Sequence, residues 1–425
     1  MIDRLCRALI GIALRRIRAG TLVVVERGRR HGFGSGAPVA TAAVRSSRVW
    51  RMLLRGSVGM ADAYAEGLWS SPDLVALIRL AARNGAAMDR ARRRIAAVQR
   101  PLQAARALVR PDSRERSRHD IAAHYDLGNE LFSRMLDSSM TYSCALFAHE
   151  GMKLADAQEA KLELVCQKLE LSPRDHVLEI GTGWGSFALH AAGTRGCRVT
   201  TTTISAEQHA HALERVRRAG LEDRVTVLLS DYRDVRGSYD KLVSIEMIEA
   251  VGWRHTGTFL ASCSKLLEPD GAMLLQAITI DDRAYEVEKA SHSFMKQRIF
   301  PGGSLPSLEA ISRDLARRTD LQVIDLQDIT SHYVPTLHEW RRRFTETAPD
   351  LAEFGYGERF QRLWTLYLCY CQAGFAERRI CDVQLLLAKP ASRLERIGGK
   401  WAPGIERPAA GASREAATRA TRSGG

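Results

Sequence analysis

His176-Val177-Leu178-Glu179-Ile180-Gly181-Thr182-Gly183-Trp184-Gly185-Ser186 is the stretch around which this chain is organised. Apolar residues surround one acid, three glycines follow at alternate positions, and a helix-like run Phe187-Ala188-Leu189-His190-Ala191-Ala192 comes next. This reads as a buried parallel strand, a tight turn and a helix start. Glycine tolerates positive φ and lets a ligand approach the backbone. Glu179 can accept hydrogen bonds from a charged or hydroxylated ligand. The third glycine comes one residue too early for the dinucleotide fingerprint, and taken alone the turn also fits an ordinary strand–helix connection.

Outward from this stretch, strands and helices alternate. Strands are expected over 176–181, 198–204, 224–230, 240–246, 271–279, 321–330 and 383–389. Helices are expected over 153–171, 186–194, 206–219, 255–268, 307–318 and 336–347. Such alternation predicts an α/β fold with a parallel, doubly wound, Rossmann-like sheet of seven strands. Ligands then bind outside the carboxyl ends of the strands, near the topological switch point.

The second strand ends Thr201-Thr202-Thr203-Ile204-Ser205, without the carboxylate that a dinucleotide ribose would want, so hydroxyls and Gln208 must serve. The third ends Ser230-Asp231-Tyr232-Arg233-Asp234, where Asp231 can accept from an adenine amino group. Adenosine without a pyrophosphate points to S-adenosylmethionine.

The 425 residues suffice for two domains, and 45% hydrophobic with 26% charged residues suit a soluble globular protein. Charge is uneven. Residues 1–118 carry 24 Arg and 8 acids, whereas 119–390 carry 31 Lys+Arg and 38 acids. We therefore expect a basic, mainly helical N-terminal domain with linker (1–118), a catalytic domain (119–390) and a disordered tail (391–425). Within the first, residues 1–19 form an amphipathic pattern with Ile2, Leu5, Leu9, Ile12 and Ala13 on one face. That helix suits either a membrane surface or docking on its own domain. Residues 21–26 are β-rich. Residues 41–55 and 57–83 read as helices and 86–110 as a very basic one, with the boundary at the polar segment 110–118. A basic surface attracts anionic lipid or nucleic acid. Eight cysteines form no C-x-x-C pair and no metal-ligand cluster with histidine, which favours a reducing cytoplasm and no metal.

The chain resembles the cyclopropane fatty acid synthase family of S-adenosylmethionine-dependent methyltransferases, a group that includes the mycolic acid cyclopropane synthases. The likeness rests on His124-Tyr125-Asp126-Leu127-Gly128-Asn129, Met140-Thr141-Tyr142-Ser143-Cys144-Ala145, the glycine turn, Thr203-Ile204-Ser205-Ala206-Glu207-Gln208 and Asp231-Tyr232-Arg233-Asp234. It continues through Ile248-Glu249-Ala250-Val251-Gly252, Ile299-Phe300-Pro301-Gly302-Gly303 and Tyr333.

The resemblance implies methylation of the cis double bond of an unsaturated acyl chain of a membrane phospholipid, through a carbocation, giving a cyclopropane. A different proton loss from the same cation gives a methylene-branched chain. It also implies a bound bicarbonate as the base, held by Glu249, Tyr333, the backbone at Cys144 and the position of Gln276. Gln276 stands where the family has histidine, so it can donate a hydrogen bond but carries no charge. Cys371 matches a cysteine once thought catalytic, although a cation intermediate needs no thiol and free cysteines are usually buried hydrophobes.

The cofactor set is Tyr142, Ser143, Glu179, Gly181, Gly183, Gly185, Thr203, Gln208 and Asp231, and Trp184 either walls the cofactor or packs. Phe132, Phe147, Phe294, Met295, Phe300, Tyr333, Trp340, Trp364 and Tyr367 suit an acyl tunnel better than nucleic acid. The expected partner is thus an anionic membrane surface rather than nucleic acid, with peripheral attachment from the cytoplasm and a homodimer as a candidate assembly. A non-catalytic lipid- or cofactor-binding homologue is the competing reading suggested by Gln276.

Overall fold

The computed structural model describes residues 2–85 and 128–394. The basic helix expected over 86–110, the boundary at 110–118, the His124–Leu127 motif and the tail beyond 394 lie outside the described residues.

The N-terminal part combines helices Ile2–Leu14, Arg48–Leu53, Gly56–Ala65 and 74–85 with four short strands. These are β1 (Gly20–Glu26), β2 (Arg29–Ser35), β3 (Val39–Val44) and β4 (Trp69–Ser70), in the order β2-β1-β3-β4. Arg27 and Gly28, both at positive φ, make the two-residue hairpin between β1 and β2. Two expected helices need correction. Residues 39–44 pair with β1 instead of starting a helix at 41, and the helix begins only after Ser46-Ser47. The expected helix 57–83 is interrupted, because Gly67 takes a left-handed turn and Trp69-Ser70 pairs with β3.

The large sheet holds the seven expected strands: β5 (His176–Ile180), β6 (Arg198–Thr203), β7 (Val225–Leu229), β8 (Tyr239–Ile245), β9 (Leu267–Ile280), β10 (Gln322–Asp328) and β11 (Ile380–Ala388). Their order is β10-β11-β9-β8-β5-β6-β7. It differs from a wholly parallel sheet in one respect: β11 runs antiparallel between β9 and β10. Successive residues along each strand feed opposite cores, as their period of two requires. Val177, Val243 and Leu274 pack under helices Leu154–Lys168, Ser186–Arg195 and Ala206–Arg218. Leu178, Leu242, Met273 and Leu275 pack under Thr256–Leu266 and Leu308–Arg318. The chain reverses direction at β5, which has β6 on one side and β8 on the other, so the crevice opens there.

A third core joins the N-terminal helices to Tyr333–Glu346 and Glu358–Ala376. Polar ties reinforce it. Arg362 donates to the carbonyls of Tyr64 (2.7 Å) and Trp69 (3.1 Å). Asp62 is buried and accepts from Arg298 at 3.1 and 3.2 Å. An Asp62→Ala variant is expected to lose about 1–2 kcal/mol of stability, a value reduced by the partial exposure of Arg298. Thermal unfolding of the full chain measures this, and an unchanged midpoint contradicts it.

Candidate active site

Two cavities meet at the carboxyl ends of β5 and β8. The smaller, of about 170 Å³, is walled by the glycine turn, the ends of β6 and β7 and the loop around Met140–Ser143. The larger, of about 580 Å³, runs between β9, the segment 284–305 and the helices Tyr333–Glu346 and Glu358–Ala376. Tyr142, Glu246 and Ala250 line both.

Of the nine residues expected at the cofactor, eight line the smaller cavity: Tyr142, Ser143, Glu179, Gly181, Gly183, Thr203, Gln208 and Asp231. Gly185 is the correction. It lies off the cavity wall, where its left-handed backbone donates to the Thr182 carbonyl and a Cβ would sit 3.3 Å from Ala212. Its part is to start the helix Ser186–Arg195. Trp184 both walls the cavity and packs, with Nε1 donating to Asn129 at 2.8 Å.

The loop over this cavity is tied down. Arg215 donates to the carbonyls of Ser139 (2.8 Å) and Trp184 (2.7 Å), bridging loop and turn. Lys161 donates to Ser143 Oγ and Gln158 to the Ser143 carbonyl, both at 2.8 Å. Thr203 Oγ1 donates to Gln208 Oε1 at 2.9 Å, and Arg233 grips both oxygens of Asp231 at 2.8 and 2.6 Å.

Glu179 is buried, and its Oε2 has no partner among the described residues. Burial lifts its carboxyl to about 8, against a hydrogen bond from Thr201 and the nearby Lys161 charge. An unpartnered buried acceptor and an open glycine backbone fit a cationic, hydroxylated ligand such as S-adenosylmethionine.

The second cluster surrounds Glu246, which sequence reasoning passed over in favour of Glu249. Cys144 N–H donates to Glu246 Oε1 at 2.8 Å, Gln276 Nε2 donates to the same oxygen at 2.8 Å, and the Tyr333 hydroxyl donates to Oε2. Gln276 also donates to Asp382 (3.0 Å) and accepts from Gln384 (3.1 Å), which orients its amide. Burial raises Glu246 and Asp382 above the usual carboxylate range, and raises the Cys144 thiol and Tyr333 hydroxyl well above theirs. Burial lowers Lys161, the nearby cation, although the Glu246 charge opposes that.

Cys144, Gln276 and Tyr333 are thus brought together as expected, but on a protein carboxylate. Glu249 stands apart from them. It lines the larger cavity, accepts from the Ile278 N–H, and leaves Oε2 without a partner among the described residues. Burial, then the Glu246 charge, lift it to about 8. Cys371 also lines the larger cavity, away from the cluster, and burial pushes its thiol to about 12. Such a thiol is no nucleophile at neutral pH.

The larger cavity is mainly apolar and aromatic. Met295, Phe300, Tyr333, Trp340 and Tyr367 of the expected tunnel set line it, whereas Phe132, Phe147, Phe294 and Trp364 pack in the core around it. Phe375 stacks on Tyr333 at 4.0 Å, and Tyr142 lies 5.0 Å from Trp340.

A family model described as mycolic acid cyclopropane synthetase matches residues 112–385. The chain belongs to that family of S-adenosylmethionine-dependent methyltransferases. Among curated relatives of the cyclopropane synthetase family, the tuberculostearic acid methyltransferase UfaA1 of Mycobacterium tuberculosis is 39% identical over 75% of this chain and 76% of its own length. The cyclopropane-fatty-acyl-phospholipid synthase of Escherichia coli K12 is 36% identical over 79% of this chain and 83% of its own. Among solved structures, the cyclopropane synthase MmaA2 of Mycobacterium tuberculosis superposes with a TM-score of 0.60 at 31% identity, covering 64% of this chain and 98% of that one. The mycolic acid cyclopropane synthase CmaA1 complexed with SAH and CTAB gives the same score at 29% identity over the same shares.

Proposed function

We propose that the protein methylates the cis double bond of an unsaturated acyl chain in a membrane phospholipid, using S-adenosylmethionine and yielding a cyclopropane fatty acid. The observation that carries this reading is the junction of the two cavities at Tyr142, Glu246 and Ala250. A glycine-floored chamber with Glu179 and Asp231 in its wall opens there onto a larger, aromatic-lined one.

S-adenosylmethionine, when bound, supplies an electrophilic methyl group. Glu179, Gly181, Gly183, Thr203, Gln208 and Asp231 would hold it, with Tyr142 and Ser143 closing over it. The residues of the larger cavity do the rest. An alkene is a poor nucleophile, so its productive placement matters most, and the walls from Met295, Phe300, Leu337 and Trp340 confine an extended chain. Methyl addition leaves a carbocation on the lipid. The rings of Trp340 and Tyr367 in the wall attract positive charge, and the apolar side chains beside them limit the water that can trap it. Glu249 lines the same space, and its second carboxyl oxygen is buried without a partner among the described residues.

A second reading, a methylene- or methyl-branched product from the same cation, has two supports. Gln276 replaces the histidine of the family pattern, and several relatives of this chain, UfaA1 among them, are named methyltransferases rather than cyclopropane synthases. Expression in a bacterium whose phospholipids carry oleoyl chains tests both. Mass spectrometry should show lipids heavier by one CH2, and NMR separates cyclopropane from methylene protons. Unchanged lipids in cells containing folded, cofactor-binding protein refute both readings.

Helix Ile2–Leu14 has features of both roles weighed for it. Cys6, Ile10 and Leu14 pack on the N-terminal sheet, while Ile2, Leu5, Leu9 and Ile12 face outward beside exposed arginines. No helix among the described residues is long and apolar enough to cross a membrane. We read the outward face as the surface that meets anionic phospholipid on the cytoplasmic side of the membrane, each arginine near it contributing roughly 1 kcal/mol. A Leu5→Glu/Leu9→Glu variant is expected to lose about tenfold or more in co-sedimentation with phosphatidylglycerol vesicles. Binding insensitive to that change and to salt rejects the assignment.

The pH dependence of cofactor binding follows from Glu179. Its carboxyl is neutral below about 8, and a cationic ligand favours the ionised form. Affinity is expected to rise by up to about tenfold per pH unit from pH 6 to 8 and then level off, with proton release at pH 7. Calorimetric titration in buffers of different ionisation enthalpy measures the released proton. A flat profile contradicts the contact with Glu179.

A further inference from the structure

We infer that Glu246 is the base of this enzyme, a carboxylate built into the chain that occupies the place bicarbonate would take, so that turnover needs no bicarbonate. The inference deepens the proposed methylation and rests on it.

Three groups expected to hold bicarbonate, the Cys144 N–H, the Gln276 amide and the Tyr333 hydroxyl, all donate to Glu246. A carboxylate and a bicarbonate present the same pair of oxygens on one carbon, so a cradle of three donors takes one or the other. With Glu246 seated, the cradle is full and the residues present do not fit a separate anion. Gln276 then ceases to be a defect. With three neutral donors, Lys161 nearby and a hydrogen bond shared with the buried Asp382, Glu246 needs no histidine cation to hold it.

The backbone points the same way. Glu246 follows the last residue of β8 at φ +49, in the left-handed region that side chains other than glycine avoid. Such strain persists where the surroundings hold it, most often at functional sites. Here it turns the carboxylate toward the junction of the two cavities.

The step balances. After methyl addition, a C–H bond of the new methyl group breaks and its proton passes to a Glu246 oxygen. The electron pair of that bond closes the ring onto the cationic carbon. Alternatively, after a hydride moves from the methylated carbon to its neighbour, the pair forms the methylene double bond. The proton leaves Glu246 to water that enters the cavities it lines once the product has departed.

The test uses the purified full chain, S-adenosylmethionine and dioleoyl phosphatidylglycerol vesicles, with lipid products read by mass spectrometry. In carbon-dioxide-free buffer, wild-type turnover is expected to stay within about twofold of its value with added bicarbonate. Glu246→Gln should lose about 10²–10⁴-fold, the contribution of a general base. Glu246→Gly relieves the left-handed strain and empties the cradle, so it should fold, lose activity similarly, and regain about tenfold or more on adding bicarbonate. Cofactor affinity and thermal unfolding verify that both variants are folded. A wild type that stops without bicarbonate, or a folded Glu246→Gln variant retaining more than about a tenth of its turnover, overturns the inference. A wild type that makes no lipid product with or without bicarbonate refutes the methylation reading instead.

Discussion

Glu249→Gln is expected to lower turnover by about 10²–10³-fold while leaving cofactor affinity within about threefold of wild type. The amide oxygen can still accept from the Ile278 N–H, so the local fold survives. What disappears is the second oxygen, buried and without a partner among the described residues, on a residue of the larger cavity's wall. A carboxylate there is valuable only when positive charge develops on the acyl chain. Glu249 does not line the smaller cavity, hence the small effect on the cofactor.

The same substitution should stabilise the resting protein at high pH. Burial and the Glu246 charge lift the Glu249 carboxyl to about 8, above its value in an unfolded chain of about 4.3. Between those values the unfolded state binds fewer protons, so this residue's contribution makes stability fall as pH rises. Glutamine removes that slope. Near pH 9 the variant should exceed wild type by about 1–3 kcal/mol, whereas near pH 4 the two should converge. Denaturant titration across pH measures the difference. Full turnover in the variant, or loss of cofactor binding with it, shows that Glu249 has been given the wrong place in the reaction.

The parts of the fold that were legible are those in which one local signal decides. Strands such as β5 and β11 announce themselves as apolar runs bounded by turns, and β6 as a β-branched run of Val and Thr. The direction of β11 does not, because strand composition is the same whichever way the strand runs. The helix Glu358–Ala376 escaped because it buries residues around most of its circumference and so lacks a clean apolar stripe. The N-terminal strand Val39–Val44 reads as Val-Ala-Thr-Ala-Ala-Val, alanine-rich enough to pass for helix until its pairing with β1 is known.

At the site, Tyr333, Cys144 and Gln276 were found through the family resemblance, and the glycine turn through its spacing. Glu246 carried a signal that went unread: an acid closing a buried strand, the same context as Glu179. Its neighbour three residues on, Glu249, drew the assignment. Only the spatial convergence of donors from residues 144, 276 and 333 separates the two, and no local pattern encodes that.

The glycine turn itself yields the second large effect. Gly181 has φ +105 and a Cβ there would lie 3.1 Å from Met247. Gly181→Val therefore strains the backbone, crowds the floor of the smaller cavity and blocks approach to the peptide groups. Cofactor affinity should fall by at least about 100-fold, with a stability loss of roughly 2–3 kcal/mol. Gly185→Ala makes the necessary contrast. Its backbone is also left-handed, at φ +88, but it faces Ala212 and the helix start rather than the cavity. That variant should lose about 1–2 kcal/mol of stability yet keep cofactor affinity within about threefold. Calorimetric titration with S-adenosylhomocysteine, paired with thermal unfolding of both variants, tells the two glycines apart. Equal losses of affinity would mean that the turn acts as one rigid unit, and that the difference between a glycine at the ligand and a glycine at the helix start does not hold in this protein.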